Sequence, residues 1–196
     1  TIGLVRGELP YPLNACLQDA TNAGMELVPI SRADYKNKDN PDFTEYIKRQ
    51  FGNAFLIPEG GANKAGLLGC AEIINLYPQA FDLVCIACGT GTTLAGMANS
   101  SQLPLLGFQI LKGKGYLKRQ VNTLMQQYQL SASCDWNVCD EFHFGGYAKI
   151  TDEFLQFLTE FELNHGIPLD PVYSGKMLFG LYQLIKKRDF FPQNYS

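Results

Sequence analysis

Gly89-Thr90-Gly91-Thr92-Thr93 follow the apolar run Leu83-Val84-Cys85-Ile86-Ala87-Cys88 and precede Leu94-Ala95-Gly96-Met97. The order predicts a buried strand, a glycine turn and a helix that opens among hydroxyl residues. That is what a phosphate group needs. Glycine lets the backbone come close, successive N–H groups converge, a helix N-terminus is partly positive, and threonine hydroxyls add donors. The turn has no lysine, so it is not a Walker A loop of the GxxxxGK[ST] kind, and a monoester phosphate held by backbone dipoles suits it. A glycine turn that only packs a strand against a helix has the same composition, and the loop alone leaves both readings open. A dinucleotide-binding oxidoreductase would need GxGxxG soon after the first strand and an acidic residue about twenty positions on. Thr92-Thr93-Leu94 stand after Gly89-Thr90-Gly91, so the third glycine is absent where that motif requires it.

Other reactive types occur without a pattern of comparable specificity. Cys85 and Cys88 have CxxC spacing, and Cys134 and Cys139 form a looser pair. In a strand, residues three apart point to opposite faces, so Cys85 and Cys88 cannot hold one metal ion as the turn of a zinc ribbon does. No metal site is expected, and the six cysteines read as reduced thiols in a cytoplasmic protein. His143 is open to two readings, a base or a packed loop histidine. His165 reads as a cation at a helix C-terminus, before Gly166-Ile167-Pro168.

With 196 residues, 46% hydrophobic and 18% charged, the chain can bury one large or two small cores. A net charge of −3 provides no basic field for nucleic acid, and the short run Lys186-Lys187-Arg188 reads as a solvated helix end. No apolar run is long enough to cross a bilayer, and no signal peptide is evident. The chain opens without Met in strand-like residues and stops after Phe190-Phe191-Pro192, the look of a fragment.

Strand-like runs are Ile2 to Val5, Leu27 to Ile30, Ala54 to Ile57, Leu83 to Ala87, Leu105 to Gln109 and Trp136 to Val138. Helical patterns cover Leu13 to Asn22, Asp42 to Gln50, Ala65 to Leu76, Thr92 to Met97, Tyr116 to Tyr128, Asp152 to Leu163 and Lys176 to Lys187. Their alternation predicts an α/β protein with a mostly parallel sheet, whose ligands gather at the carboxyl ends of strands. A boundary is expected near Ile57-Pro58, separating domains 1–57 and 58–196.

Six segments then share one resemblance. VRGE (Val5 to Glu8), SRADY (Ser31 to Tyr35), PEGGANKAGLLG (Pro58 to Gly69), GTGTTLAGM (Gly89 to Met97), FHFGGY (Phe142 to Tyr147) and LDPVYSGK (Leu169 to Lys176) occur in order along nearly the whole chain. Together they resemble the 1-aminocyclopropane-1-carboxylate deaminase and D-cysteine desulfhydrase family. These are pyridoxal-phosphate enzymes of fold type II, the tryptophan synthase β-subunit type. The resemblance implies a three-layer αβα fold, here incomplete, with 1–57 part of the small domain and 58–196 the cofactor domain without its terminal strands.

By the resemblance, Gly89, Thr90, Gly91, Thr92 and Thr93 bind the cofactor phosphate. Tyr173 falls on the active-site tyrosine, where it could exchange protons with a small amino-acid substrate; the bland alternative is a tyrosine packed under a turn. Ser174 falls at the partner of the pyridine nitrogen. Ring-opening members resemble one another in carrying Glu there, and desulfhydrase-like members carry a hydroxyl. A carboxylate keeps that nitrogen protonated and a hydroxyl leaves it near neutral, which suffices to expel thiolate. Ser174 thus points to desulfhydrase-like chemistry. Lys64 in GGANK resembles the GGNK motif of the aldehyde-binding lysine, but Pro58-Glu59 and Gly66 to Gly69 match a later glycine loop, so Lys64 is expected to be a solvated or capping lysine. Lys176 is not expected to hold the aldehyde either.

In the family, the lysine precedes the strand at which this chain begins, and a His-Thr-Gly-Gly strand follows the point where it stops. The resemblance therefore implies a parent lyase or deaminase, inactive as this stretch alone, and a homodimer. A non-catalytic truncated homologue that binds a phosphate ligand would share every motif.

Overall fold

The computed structural model describes residues 1–38, 40–52, 54–74 and 81–187. The chain forms two compact units, with the division between Leu56 and Ile57.

In the first unit, β1 (Ile2–Arg6) and β2 (Glu26–Ile30) are parallel, with Gly3 opposite Leu27 and Val5 opposite Pro29. Parallel neighbours need a crossover. It contains α1 (Ala15–Asn22), whose cap Asn14 accepts the Leu17 N–H at 3.0 Å. The core joins Ile30 to Phe43 and Ile47 of α3 (Pro41–Phe51), with Leu4 and Val28 packed against them. Between β2 and α3 lies α2 (Arg32–Lys36), started by a reciprocal cap. Ser31 Oγ accepts the Asp34 N–H at 3.0 Å and donates to Asp34 Oδ2 at 2.6 Å. Five residues are too few to show a helical period, which is why the apolar pattern does not reveal α2.

The expected strand Ala54 to Ile57 is not one. Its backbone is irregular, and Phe55 and Ile57 are 78% and 72% exposed. Apolar character makes a run eligible for a sheet, but a strand exists only where a neighbour accepts its ladder. This run lies at the division between the units instead.

The second unit is built on β3 (Val84–Cys88), β4 (Leu105–Gln109) and β5 (Trp136–Cys139), parallel and in that order. The crossovers contain α5 (Thr92–Ala98) and α6 (Tyr116–Gln127). The glycines show which face each helix covers. A Cβ on Gly107 would collide with Leu94 of α5 and stand 3.5 Å from Leu117 of α6. The next residue, Phe108, points the other way, where a Cβ on Gly180 of α8 (Ser174–Lys187) would meet its ring at 2.8 Å. Helices thus cover both faces, as the parallel sheet requires. Ile86, Cys88, Leu94, Leu105, Leu117 and Val121 fill the α5–α6 side. On the other side Phe179 packs edge-on against Phe154 and Phe157 of α7 (Asp152–His165). The remaining helix, α4 (Lys64–Ile73), lies on α5 so closely that a Cβ on Gly96 would strike the Leu67 carbonyl. The expected end of α4 at Leu76, Arg188 of the basic run and Phe190-Phe191-Pro192 lie outside the described residues.

Candidate active site

At the carboxyl end of β3 the chain turns through half-buried Gly89 and Thr90 into buried Gly91, the N-cap of α5. Gly91 has φ +84°, a left-handed conformation that a side chain strains, and a Cβ there would stand 3.0 Å from Val121 and 3.1 Å from Leu117. A glycine cap offers no side chain, so the first N–H groups of α5 have no side-chain acceptor. Thr90 Oγ1 and Thr92 Oγ1 lie 2.9 Å apart. Two hydroxyls sharing one hydrogen bond keep a second proton for another acceptor. Thr93 is held differently, its Oγ1 accepting from the Cys70 thiol of α4 at 3.8 Å.

The glycine segment ahead of α4 closes on the same loop. Gly60 lies within a 3-10 turn (Glu59–Gly61) with φ +64°, and a Cβ on it would stand 2.6 Å from Thr90 Cγ2 and Oγ1. Asn63 caps α4 by accepting the Gly66 N–H at 2.8 Å. Lys64 is the exposed first residue of that helix.

Tyr173 and Ser174 approach from the turn before α8. A Cβ on Gly89 would lie 3.4 Å from Tyr173 Cε1 and 3.5 Å from its hydroxyl oxygen, so the ring rests on the bare backbone of the threonine loop. Tyr173 is 39% exposed. Burial, then the negative charge that Tyr147, Asp170 and Glu59 can carry, pushes its phenol up. At neutral pH Tyr173 therefore holds its proton and is poised to donate it.

Asp170 organises this turn, and the sequence reading passed over it. Its carboxylate accepts the N–H groups of Val172 at 2.9 Å, Tyr173 at 2.7 Å and Ser174 at 2.7 Å, together with the Ser174 hydroxyl. Burial works against its charge, but the Ser174 hydroxyl and the three N–H groups outweigh that and hold its carboxyl below the ordinary value of 3.8. The signal was an Asp-Pro pair just ahead of a helix, a common turn-and-cap pattern. It starts α8 at Ser174, two residues before the expected Lys176.

Lys176, 1% exposed, donates from Nζ to the carbonyls of His143 at 3.1 Å and Gly146 at 2.7 Å. Burial pushes its ammonium down. It fastens α8 to the 142–147 loop, where Phe144 has φ +53° and its ring stacks on Phe154 at 4.6 Å. The same loop brings Tyr147 edge-on to Tyr173, ring centroids 6.2 Å apart. His143 Nδ1 accepts the Gly145 N–H at 2.9 Å, which ties it into its own loop. His165 closes α7 and lies 3.4 Å from the Tyr182 hydroxyl. All six cysteines are free, and burial pushes Cys85 up to about 11 and Cys88 to about 12. Among the described residues no group of three His, Cys, Asp or Glu gathers as a metal set, and no helix is long and apolar enough to cross a membrane.

The architecture is that of a solved structure described as an ACC deaminase homologue. The two superpose with a TM-score of 0.73 at 24% identity, over 96% of this chain and 62% of that one. The fold is thus that of the fold-type II pyridoxal-phosphate enzymes. Within that class, the chain is a homologue of the 1-aminocyclopropane-1-carboxylate deaminase and D-cysteine desulfhydrase family. A Pyrococcus horikoshii protein provisionally named a 1-aminocyclopropane-1-carboxylate deaminase is 31% identical over 74% of this chain and 49% of its own length. The Arabidopsis thaliana mitochondrial protein named bifunctional D-cysteine desulfhydrase/1-aminocyclopropane-1-carboxylate deaminase is 30% identical, over 81% of this chain and 44% of its own. A Salmonella paratyphi C D-cysteine desulfhydrase is 27% identical over 74% and 48%. The chain thus spans about half the length of these curated relatives. No family model matches it.

Proposed function

We propose that this chain supplies the phosphate loop and the Tyr173-Ser174 turn of a pyridoxal-phosphate-dependent enzyme that releases ammonia from a small amino acid, with D-cysteine favoured over the cyclopropane amino acid. The observation that carries the reading is the seating of Tyr173 on Gly89, which joins two separate family segments at one place. The donor set fits the cofactor. Bare glycine backbone, uncapped N–H groups and a spare hydroxyl proton suit a phosphate monoester. When bound, pyridoxal phosphate supplies an electron sink for a carbanion next to the amino group.

The chain's own residues have distinct tasks. Gly89 to Thr93 orient the phosphate, with Thr90 and Thr92 adding hydroxyl donors. Tyr173 holds a proton at its hydroxyl for the substrate or leaving group. Ser174 meets the ring nitrogen with a hydroxyl, a weaker hold on a proton than a direct carboxylate gives. Elimination of thiolate tolerates that, because the leaving group takes charge away itself.

The same proposal makes the protein a cytoplasmic homodimer, in keeping with six free thiols. On their own, residues 1–196 are expected to turn over no amino acid, because the aldehyde-binding lysine is not expected among them. The test is a comparison of substrates in a chain joined to a segment that supplies such a lysine. Release of sulfide and ammonia from D-cysteine at higher kcat/KM than opening of 1-aminocyclopropane-1-carboxylate supports the reading, and the reverse order refutes it.

A further inference from the structure

Lys176 carries a charge that packing does not require. It is buried, and among the described residues no carboxylate offsets the burial that pushes its ammonium down. As the third residue of α8 it also stands at the positive end of the helix dipole. A buried cation in such a place is costly, and an apolar side chain of similar size fills the space without that cost. Its two acceptors do not need it either. The His143 carbonyl also takes the Gly146 N–H at 2.9 Å, and the Gly146 carbonyl takes the Lys149 N–H at 3.2 Å. What the ammonium adds is a tie across both ends of the 143–146 turn, at 3.1 and 2.7 Å.

That stretch of backbone needs a tie. Phe144 and Ala148 have φ +53° and +55°, and Gly145 and Gly146 have +96° and +127°, so two residues with side chains stand in left-handed backbone. Conformations of this kind persist where the surroundings hold them, and they gather at functional sites. Tyr147 lies inside the stretch, directly after the Gly146 carbonyl that Lys176 binds, and its ring meets Tyr173 edge-on at 6.2 Å. Tyr147 is 58% exposed, so that contact is too open to fix the backbone beneath it. Tyr173, in turn, is three residues before Lys176, at the start of the same helix. One side chain therefore joins the two segments that carry the two phenols. We propose that Lys176 is a positioning residue whose ammonium clamps the 143–146 turn, holds Tyr147 against Tyr173 and so sets where the Tyr173 hydroxyl stands in the site. This rests on the reading of Tyr173 as a proton donor above. No covalent bond changes, and no proton moves to or from Lys176.

The test uses the 196-residue chain with 3-fluorotyrosine in place of tyrosine, followed by fluorine-19 NMR. Tyr173→Phe assigns the Tyr173 signal by its loss, and Tyr147→Leu removes the neighbouring ring. In the otherwise wild-type chain, Tyr147→Leu is expected to shift the Tyr173 signal beyond its linewidth. In Lys176→Met most of that shift is expected to be lost. Leu105→Ala, on the α5–α6 side of the sheet, weakens the same unit away from the loop and is expected to keep it. Circular dichroism checks each fold, and Lys176→Gln takes the place of Lys176→Met if the latter does not fold. The clamp is refuted if the wild-type background shows no shift, if the shift survives loss of the lysine, or if Leu105→Ala abolishes it equally. Failure of both lysine variants to fold makes Lys176 a residue of the fold alone and refutes the clamp too. Pyridoxamine 5′-phosphate, added last, is expected to move the Tyr173 signal by different amounts in the wild type and in Lys176→Met, and equal shifts overturn the proposal. If the probe binds neither protein, the cofactor reading fails, while the fluorine comparison without ligand still decides whether Lys176 holds Tyr147 in place.

Discussion

The Tyr173 ring lies on the backbone of Gly89: a Cβ added there would be 3.4 Å from Cε1 and 3.5 Å from the hydroxyl oxygen. Residues more than eighty positions apart thus meet at the carboxyl end of β3, the edge where parallel sheets collect ligands. A methyl group fits that gap at ordinary van der Waals distance, but it covers backbone that a phosphate must approach.

Gly89→Ala is therefore expected to separate binding from folding. Stability changes by no more than about 1 kcal/mol, since ordinary contact is not overpacking. Affinity for pyridoxamine 5′-phosphate falls by about tenfold or more, or about 1.4 kcal/mol. Titration calorimetry with parallel urea denaturation checks both. Unchanged affinity in a folded Gly89→Ala protein contradicts this placement of the phosphate.

Lys176→Met is expected to destabilise the second unit. The carbonyls of His143 and Gly146 lose the ammonium but keep the N–H groups of Gly146 at 2.9 Å and Lys149 at 3.2 Å, so what is lost is hydrogen bonding from a charged donor, worth about 1.5–3 kcal/mol. Methionine, one atom shorter, fills most of the lysine's path and removes the desolvation of an ammonium, so the loss stays toward the lower end. Chemical denaturation measures it. A variant as stable as the wild type would show that Phe144, Phe154 and Phe179 hold the loop unaided.

Acid dependence follows from Asp170. Its carboxyl sits lower in the folded protein than the ordinary 3.8, so below 3.8 the unfolded chain binds more protons than the folded one. The stabilisation is complete above 3.8 and is lost as pH falls from there through the lower folded value. Denaturation free energies measured between pH 6 and about 2.5 are expected to fall less steeply for Asp170→Asn than for the wild type. Equal slopes would mean the Asp170 hydrogen bonds do not favour its charged form.

Much of this was legible in the residues. Ile2 to Val5, Leu27 to Ile30 and Leu105 to Gln109 are apolar runs between turn signals, and each became a strand. The expected Leu83 to Ala87 strand is displaced by one residue, because Pro104 accepts the Val84 N–H and so sets where the ladder with β4 begins. The run at Ala54 to Ile57 looks the same locally, yet a strand depends on a partner that no window of sequence contains. In the site, the threonine loop was readable because its chemistry lies in five adjacent residues. Asp170 and Lys176 were not. Asp170 matters through where its carboxylate turns, and Lys176 through two carbonyls some thirty residues away. Gly60 gave no hint of its closeness to Thr90, because a missing Cβ advertises nothing about its neighbour.

The central claim is that the threonine loop and the Tyr173-Ser174 turn form one cofactor site. Its most direct test is a backbone-amide NMR titration of the 196-residue chain with pyridoxamine 5′-phosphate. Saturable shifts are expected for the amides of Gly89, Thr90, Gly91, Thr92 and Thr93 and, at the same ligand concentration, for Tyr173 and Ser174. Saturable shifts confined to other residues, or at only one of the two segments, would contradict it.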